Sequence, residues 1–432
     1  MKKQIKSQNV LAAQQANNLL FTSLHMNMED ILQASQVLNT HPERGAQIRE
    51  TLHSLLNEEL PKLKRELTIE ELQLAAKNRV KDWTKYIGTP SMDQYVTLCK
   101  YWGISIGEVF GQELTPQIIY DMLNCSVVGQ HEYKRRLSTS FHLYLMKKNG
   151  RSSDIDLPKC NLLVCGPSGS GKTYGVQTLS RYFRVPFVLI HCNTLVPEGI
   201  VGSNISDYFT GAWMESKAEK KKDKMAELSH AIVCFDEFDK VLENKEYGHT
   251  ILNEILSLID DGGEARFRVG YHYSNDYVTI PNKQMMFVFT GVFAGMDKVR
   301  TGDSLGFRNA ASKPGKELDS QDLLNYGLKP EIVGRIMNYT TVDKLTVDDL
   351  CALLDSKVGS PLNDFFNYFR MNNIELCMTS DAKKLLVQTA YDRELGVRGL
   401  KSLINDVLRD EMFKLNKKTI KVDRSFVEKH LN

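Results

Sequence analysis

Eight consecutive residues have the types and spacing of a phosphate-binding loop: Gly166, Pro167, Ser168, Gly169, Ser170, Gly171, Lys172 and Thr173. The glycines let the backbone turn its N–H groups towards phosphate oxygens, and a helix that starts here adds a favourable dipole. Lys172 can reach the β- and γ-phosphates, and the Thr173 hydroxyl can ligate Mg²⁺. The pattern therefore predicts a site for a nucleoside triphosphate, ATP in the first instance, with Mg²⁺.

Two acidic residues, Asp236 and Glu237, supply a second set of reactive groups after the apolar run 231–235. At the end of a strand, Asp236 can hold the Mg²⁺ shell, and Glu237 can orient and polarise an attacking water molecule. A further predicted strand, 284–290, ends in the hydroxyl of Thr290. An acidic pair at this distance after a phosphate-binding loop predicts hydrolysis of the bound triphosphate.

These groups meet only if the elements between them bring the strand ends together. Apolar residues 160–165 predict a strand before the glycine loop, and residues 174–183 after it have helical spacing. Residues 185–191 predict another strand. Strands that alternate with helices indicate an α/β fold with a largely parallel sheet and right-handed crossovers. Because parallel strands end at one edge, we expect the glycine loop, Asp236 and Thr290 to lie together there.

Length, charge and composition restrict the class of protein. A chain of 432 residues with 42% apolar and 25% charged residues predicts two or three globular domains. The net charge of +2 gives no argument for nucleic acid or anionic membrane as a partner of the whole chain. No apolar run approaches the roughly 18 residues of a membrane span, and the basic start, Met1–Lys6, does not lead into a signal peptide. The eight scattered cysteines form no Cys-x-x-Cys pair, which predicts neither zinc nor disulfides and favours a cytoplasmic location.

The first part of the chain predicts helices. In residues 1–66, apolar side chains recur at intervals of three and four, as in amphipathic helices. In residues 67–120, Trp83, the turn 88–91 and the run 92–111 resemble the back half of a Cro/repressor-type helix-turn-helix domain. We therefore expect a separate all-helical N-terminal region whose second module is helix-turn-helix-like.

The second helical module leaves two functions open. Its predicted recognition segment contains the basic side chains Lys77, Arg79, Lys81 and Lys85, which favours DNA binding. Across residues 1–114, however, thirteen Lys and Arg residues balance thirteen Asp and Glu residues, a poor electrostatic match for DNA. The alternative is a module that recruits substrates or partner proteins.

From about residue 124 to the C-terminus, several motifs in order make the chain similar to AAA+ ATPases, and specifically to the ClpX family. The resemblance implies an AAA+ P-loop core over residues 121–342 and a small helical lid domain over residues 343–432. The N-terminal region departs from that family. ClpX proteins usually begin with a four-cysteine zinc domain, and residues 1–120 cannot supply one.

The resemblance extends the nucleotide site beyond the glycine loop. Val127 and Val128, within Val127–Gln130, resemble the family's adenine-side box. The segment Phe293–Val299 follows the preceding strand as it does in ClpX, which places Thr290 at the position called sensor 1. Val127 and Val128 would contact the base, and Thr290 would contact the γ-phosphate.

Two arginines also receive roles from the resemblance. Gly327–Arg335 resembles the segment that carries the arginine finger, so Arg335 would project into a neighbouring subunit's site. Gly396–Lys401 resembles the sensor-2 motif and gives that role to Arg398. A guanidinium on the γ-phosphate stabilises charge on the transferred group, and it can act in trans. An arginine in trans implies a ring, and the family implies a hexamer.

Two further segments concern the use of the hydrolysis energy. ClpX proteins carry a pore loop, Gly-Tyr-Val-Gly, whose aromatic side chain grips the substrate chain. Here the corresponding residues are Gly199, Ile200, Val201 and Gly202, and Ile200 keeps apolar bulk but loses the flat face. The tripeptide Leu305, Gly306 and Phe307 resembles the one by which ClpX docks on the ClpP peptidase.

As a whole, the resemblance implies a homo-oligomeric, ATP-driven unfoldase. It would translocate protein substrates and deliver them to a ClpP-type peptidase, and no membrane is expected among its partners. The rival interpretation is a non-proteolytic ATPase switch or remodeller that the N-terminal helices target to DNA or to a protein complex. A third is a chaperone that unfolds partners without a protease. Ile200 favours the rival, whereas Leu305–Phe307 favours peptidase docking.

Overall fold

The computed structural model describes residues 114–431 except 149–156, 159, 270–275, 297–298, 300–316, 357–358 and 394, together with Met92 and Gly107. By its internal contacts the chain divides into two compact units, Met1–Leu114 and Thr115–Asn432. The predicted helical modules therefore lie almost wholly outside the described residues, as does the tripeptide Leu305–Phe307. The second unit holds all of the other predicted site residues, in its helices and strands or in the loops between them.

The strands of this unit, in chain order, are β1 (Leu162–Cys165), β2 (Phe187–His191), β3 (Ile232–Asp236), β4 (Glu264–Arg268), β5 (Tyr277–Pro281), β6 (Met286–Gly291), β7 (Asn338–Thr341), β8 (Glu375–Met378) and β9 (Thr419–Val422). The helices of its first part are α1 (Pro116–Asn124), α2 (His131–Lys148), α3 (Lys172–Phe183), α4 (Ile205–Glu215), α5 (Lys221–Leu228), α6 (Asp239–Glu243), α7 (Gly248–Ile259), α8 (Ser320–Tyr326) and α9 (Pro330–Arg335). Those of the last part are α10 (Val347–Asp355), α11 (Asn363–Met371), α12 (Ser380–Asp392), α13 (Gly396–Lys414) and α14 (Arg424–Leu431).

The first part of this unit is built on a five-stranded sheet in the order β2-β3-β6-β1-β7. All of its strand pairs are parallel. Every residue of the central strands β1 and β6 is buried, which explains their continuous apolar sequence, since a parallel sheet is covered by helices on both faces. The predicted α/β fold with a parallel sheet is confirmed.

Strand register determines which residues share the edge of the sheet. Cys165, the last residue of β1, pairs with Gly291 of β6 and with Thr341 of β7. His191 of β2 pairs with Asp236 of β3. The segments that follow β1, β3 and β6 therefore leave the sheet at the same edge, as the sequence predicts.

An antiparallel hairpin of β4 and β5 was not predicted from the sequence. Its buried side chains alternate along each strand, and Phe267 packs against Phe209 and Trp213 of α4. The alternation is only two buried residues long in each strand, which is too short to separate a strand from a loop in sequence. The hairpin extends the hydrophobic core without joining the main sheet.

The last part of the unit has its own hydrophobic core, formed by side chains between Leu350 and Val427. Its helices surround a small parallel pair of strands, in which Glu375 of β8 pairs with Thr419 of β9. The sequence indicates the second of these strands but not the first. None of the described helices is long and apolar enough to cross a membrane.

Candidate functional site

The predicted phosphate-binding loop joins β1 to α3 at the carboxyl edge of the sheet. Gly166, Gly169 and Gly171 have φ values of 148°, 74° and 90°, which side chains with a Cβ rarely adopt. At Gly166 a Cβ would also overlap the carbonyl oxygen of Val342. Gly171 is the N-cap of α3 and offers no side-chain hydrogen bond to the first turn, whose N–H groups are therefore available to an anion.

Lys172 is buried inside this loop. Its Nζ donates to the carbonyl oxygens of Gly166 and Pro167, each at 2.7 Å. Burial lowers the pKa of the Lys172 ammonium, and the negative charges of Asp236 and Asp239 oppose that shift. The ammonium group is thus held within the loop by weak acceptors that phosphate oxygens, being charged, can replace.

Asp236 connects three of the predicted site residues. Its Oδ1 accepts a hydrogen bond from the Thr173 hydroxyl at 3.0 Å and another from the Thr290 hydroxyl at 2.5 Å. One carboxylate oxygen thereby joins the ends of β3 and β6 to the start of α3. The described residues include no cluster of three or more His, Cys, Asp or Glu side chains that could hold a metal. One carboxylate beside a threonine hydroxyl, with nucleotide phosphates, is instead the set of hard oxygen donors that suits Mg²⁺.

Glu237 is exposed and has a positive φ of 58°. This left-handed backbone costs a non-glycine residue about 1 kcal/mol or more and persists only where the surroundings enforce it. The two neighbours of Glu237 are both fixed, Asp236 by its bonds to the two threonines and Phe238 by a hydrogen bond from its N–H to the Thr290 carbonyl, 2.9 Å. The turn places Glu237 at the edge of the sheet where the glycine loop lies.

Arg398 is brought to the same loop by the last part of the unit. It lies in the first turn of α13, whose first residue, Gly396, has its Cα 3.6 Å from the position that a Cβ on Gly169 would take. The positive charge of exposed Arg398 is also close enough to contribute to lowering the pKa of Lys172. The structure thus assembles the predicted sensor-2 arginine with the predicted phosphate-binding loop.

The predicted adenine-side box, with Val127 and Val128, also lies at the contact between the first and last parts of the unit. Val127 is buried, and its carbonyl oxygen accepts a hydrogen bond from Lys134 at 3.0 Å. Gln130 makes two hydrogen bonds with the backbone of Asp343, at 2.8 and 2.9 Å. The box is therefore fastened to the strand-to-helix segment that leads into α10.

Arg335 is not brought to the glycine loop of its own chain. It ends α9, and its backbone carbonyl accepts a hydrogen bond, 2.9 Å, from Asn161, the residue before β1. That position is the amino edge of the sheet, about 13 Å along a four-residue strand from the carboxyl edge. Its guanidinium is bound by both carboxylate oxygens of Asp260, at 3.1 and 3.0 Å.

The predicted pore loop projects from the body of the protein. Ile200 is 43% exposed and Val201 is fully exposed. A backbone hydrogen bond from Val196 to Ser203, 2.9 Å, closes the base of the loop. Its flanking glycines have φ values of 94° and 154°, so the turn requires residues without a Cβ.

The sequence gives no role to two residues that contact the site. The Tyr133 hydroxyl, from α2, donates to the Lys172 carbonyl at 2.5 Å, and burial raises the pKa of Tyr133 far above its usual range. A Cβ on Gly175 would lie 2.5 Å from that hydroxyl, so a glycine in α3 was the available signal. Asp239, only two residues after Glu237, is buried beneath the same edge.

Comparison with known proteins agrees with this arrangement. Residues 157–339 match the family described as AAA domain (Cdc48 subfamily), and residues 358–424 match the C-terminal, D2-small domain of ClpB protein. The protein of Treponema denticola named ATP-dependent Clp protease ATP-binding subunit ClpX is 28% identical over 323 residues, which cover 69% of this chain and 77% of the relative. Proteins of that name from Porphyromonas gingivalis and Borrelia duttonii are each 26% identical, over 350 and 330 residues, covering 73% and 70% of this chain and 82% and 74% of the relatives.

A nucleotide-binding core and a small C-terminal domain, matched in that order, make the chain an AAA+ ATPase. Among these ATPases it is of the ClpX type, because its curated relatives of that name align over more than two thirds of its length.

Proposed function

We propose that this ATPase is a protein unfoldase that works as a ring of identical subunits. The observation that carries the proposal is the exposed aliphatic tip of Ile200 and Val201, which lies in the same domain as the nucleotide site. An apolar tip exposed on a glycine-flanked loop has no structural role in its own subunit and suits transient contact with a polypeptide. The names of the relatives, subunits of a Clp protease, support the same activity.

For nucleotide binding, we assign Val127 and Val128 to the base and Gly166 to Thr173 to the phosphates. Lys172 exchanges its loop carbonyls for the β- and γ-phosphates, and the N–H groups at the start of α3 face the same anion. Thr173 and Asp236 would hold Mg²⁺, which when bound neutralises charge between the β- and γ-phosphates.

For hydrolysis, Glu237 takes the role of general base and orients the attacking water molecule. Thr290, fixed against Asp236, senses the γ-phosphate from the end of β6. Arg398 stabilises charge on the γ-phosphate from the lid side, where it already lies near Lys172. Movement of α13 with its arginine would then convert the state of the nucleotide into motion between the two parts of the unit.

Arg335 is assigned to the neighbouring subunit's site. The support is its distance from its own glycine loop, at the opposite edge of the sheet. If Arg335 of every subunit completes the nucleotide site of the next subunit, the subunits must form a closed ring. The resemblance to ClpX implies that this ring is a hexamer. Each nucleotide site would then be completed by the next subunit.

The work of the ring would be to pull protein substrates through its centre. Leu305, Gly306 and Phe307, outside the described residues, are proposed to dock a ClpP-type peptidase, as the names of the relatives suggest. A cytoplasmic location belongs to the same proposal, since the scattered cysteines favour it. DNA binding by residues 67–120 remains a prediction of the sequence.

The unfolding activity can be tested with a tagged fluorescent protein, ATP and the full-length chain. We expect fluorescence to disappear with the wild-type protein. Replacing Ile200 and Val201 together by alanine should slow unfolding on the order of 10²-fold, since each aliphatic side chain contributes about 1.5 kcal/mol when buried against a substrate and about 1.4 kcal/mol corresponds to a factor of ten. ATP hydrolysis should be unchanged. Met214→Ala, which removes another exposed apolar side chain, is the matched control and should alter neither rate.

The remaining interpretations are separate outcomes of this experiment. Unfolding that never leads to degradation when a ClpP-type peptidase is added would identify a chaperone without a protease. Hydrolysis without any unfolding would refute the proposal and favour an ATPase switch. Glu237→Gln serves as the control for ATP dependence, because it should bind ATP yet hydrolyse it on the order of 10³-fold more slowly.

A further inference from the structure

Asp239 is a buried carboxylate that the proposed mechanism does not use. It is the first residue of α6 and is 1% exposed. Its Oδ1 accepts a hydrogen bond from the N–H of Val292 and its Oδ2 one from the N–H of Phe293, both at 3.3 Å. A carboxylate is costly to bury unless its oxygens are bonded, and here both oxygens are used by a single turn after β6.

This carboxylate completes a set of bonds between the ends of β3 and β6. The Thr290 hydroxyl donates to Asp236 at 2.5 Å, and the Phe238 N–H donates to the Thr290 carbonyl at 2.9 Å. With the two bonds to Asp239, the segments 236–239 and 290–293 are fastened at both ends. Glu237, with its positive φ of 58°, lies between these attachment points.

The turn that Asp239 holds is tightly packed. A Cβ on Gly291 would lie 2.5 Å from Asp239 Oδ1 and 2.7 Å from the ring of Phe293. Phe293 is itself buried, has a positive φ of 51°, and packs edge-on against Tyr326 at 5.5 Å between ring centroids. Because this turn has so little free space, a shift of Asp239 displaces Thr290 as well and is not taken up by local rearrangement.

Asp239 also acts electrostatically on the glycine loop. Its negative charge, together with that of Asp236, opposes the effect of burial on the pKa of Lys172. The carboxylate therefore lies within electrostatic reach of the ammonium that we assign to the phosphates, while its oxygens bind the turn after Thr290.

We propose that Asp239 is a positioning residue of the ATPase site: it fixes the backbone of Glu237 relative to Thr290, so that the Glu237 carboxylate faces the water to be activated. The inference rests on the proposed roles of Glu237 and Thr290. Both carboxylate oxygens of Asp239 are engaged by the backbone of the turn after β6, so it would act through these two residues. Its loss should therefore reduce the rate of the chemical step and leave nucleotide binding intact.

Asp239→Asn in the full-length protein tests this inference. An asparagine amide turns an N–H donor towards one of the two backbone N–H groups, so one bond is lost and repulsion replaces it. We expect kcat for ATP hydrolysis to fall by about tenfold or more, with KM and the affinity for a fluorescent ATP analogue within about twofold of wild type. Hydrogen exchange at the amides of Val292 and Phe293 should accelerate.

Asp322→Asn is the matched control. Asp322 is also a buried carboxylate, 6% exposed, that accepts a backbone hydrogen bond, from Asp319 at 3.1 Å, but it lies in the capping box of α8. The same substitution there should lower Tm without changing kcat. An equal loss of kcat in both variants would show that Asp239 is only a folding contact, and would overturn the proposal.

Two further variants separate positioning from general damage. Gly291→Ala displaces the turn but keeps the charge of Asp239, and it should reproduce the loss of kcat with KM retained. In a Glu237→Gln background, Asp239→Asn should cause no further loss in single-turnover hydrolysis, because a residue that acts through Glu237 cannot do so once that carboxylate is gone. Additive losses in the double variant, or an unchanged kcat in both Asp239→Asn and Gly291→Ala, would refute the inference. A normal kcat in Glu237→Gln itself would instead refute the proposed role of Glu237.

Discussion

Arg398 and Arg335 receive related chemistry from the sequence, a guanidinium for a γ-phosphate, but the fold places them at opposite edges of one sheet. Arg398 is exposed, lies near Lys172 and is carried by a helix of the last part of the unit. Arg335 lies at the amino edge of the sheet and is paired with Asp260 of its own chain. The difference shows that sequence motifs of equal quality do not define one site. Strand polarity places Arg335 away from the glycine loop of its own chain, so we assign only Arg398 to the nucleotide of its own subunit.

The largest expected effect comes from mixing inactive variants. Arg335→Ala and Arg398→Ala should each reduce hydrolysis on the order of 10³-fold. Mixed with Glu237→Gln subunits, Arg335→Ala should recover about a quarter of the wild-type rate, since random assembly gives each site an intact Glu237 and a neighbour's intact arginine with that frequency. Arg398→Ala should recover nothing, because its arginine and Glu237 must belong to the same subunit. Phosphate release in equimolar mixtures measures both outcomes.

Unmixed samples of each variant are the control for this experiment. Recovery with Arg398→Ala, or none with Arg335→Ala, would reverse the assignment of the two arginines to their own and the neighbouring site. Equal recovery with both would mean that neither arginine is confined to one kind of site.

A smaller effect should follow from adding one methyl group beside each arginine. Gly396 has a φ of 61° and contacts the glycine loop, so Gly396→Ala strains the start of α13 by roughly 1 kcal/mol and should slow hydrolysis about fivefold. Gly334, next to Arg335, lies in α9, and apart from its chain neighbours and the backbone of that helix no atom of the described residues lies within 4 Å of the position that a Cβ would take. Gly334→Ala should leave the rate unchanged and stabilise α9 slightly. Steady-state ATPase assays and thermal unfolding compare the two.

Regions of the molecule differ, for physical reasons, in how far their structure could be predicted from sequence. Strands β1, β2, β3 and β6 and the clustering of Thr173, Asp236 and Thr290 were predictable, because buried parallel strands are continuous apolar runs and their ends share one edge. The parallel sheet and the helical C-terminal region are confirmed, whereas the domain boundaries and the roles of individual residues stay predictions.

What the sequence could not indicate depends on contacts between distant segments. The hairpin of β4 and β5 has too short an alternation to be recognised. Tyr133 reaches the loop from a helix 39 residues away, and its role is visible only through the space that Gly175 leaves. Asp239 resembles any acidic residue in the first turn of a helix until its two backbone partners are known. The bond between Arg335 and Asp260 is of the same kind, joining residues 75 positions apart.

The bond between Arg335 and Asp260 gives the smallest expected effect. It tests whether Arg335 is restrained within its own chain, which is where it differs from Arg398. Asp260 is about half exposed and Arg335 about a quarter, so the pair should contribute no more than about 1 kcal/mol to the free energy of unfolding. Asp260→Asn should release the guanidinium and raise ATP turnover by up to about twofold at low salt, because a restrained finger must leave Asp260 before it can reach a neighbour. At high ionic strength, where the ion pair is screened, wild type and variant should hydrolyse ATP equally. A fall in turnover at low salt would mean instead that Asp260 presents Arg335 in its working orientation, and the arginine would then be preorganised within the single chain.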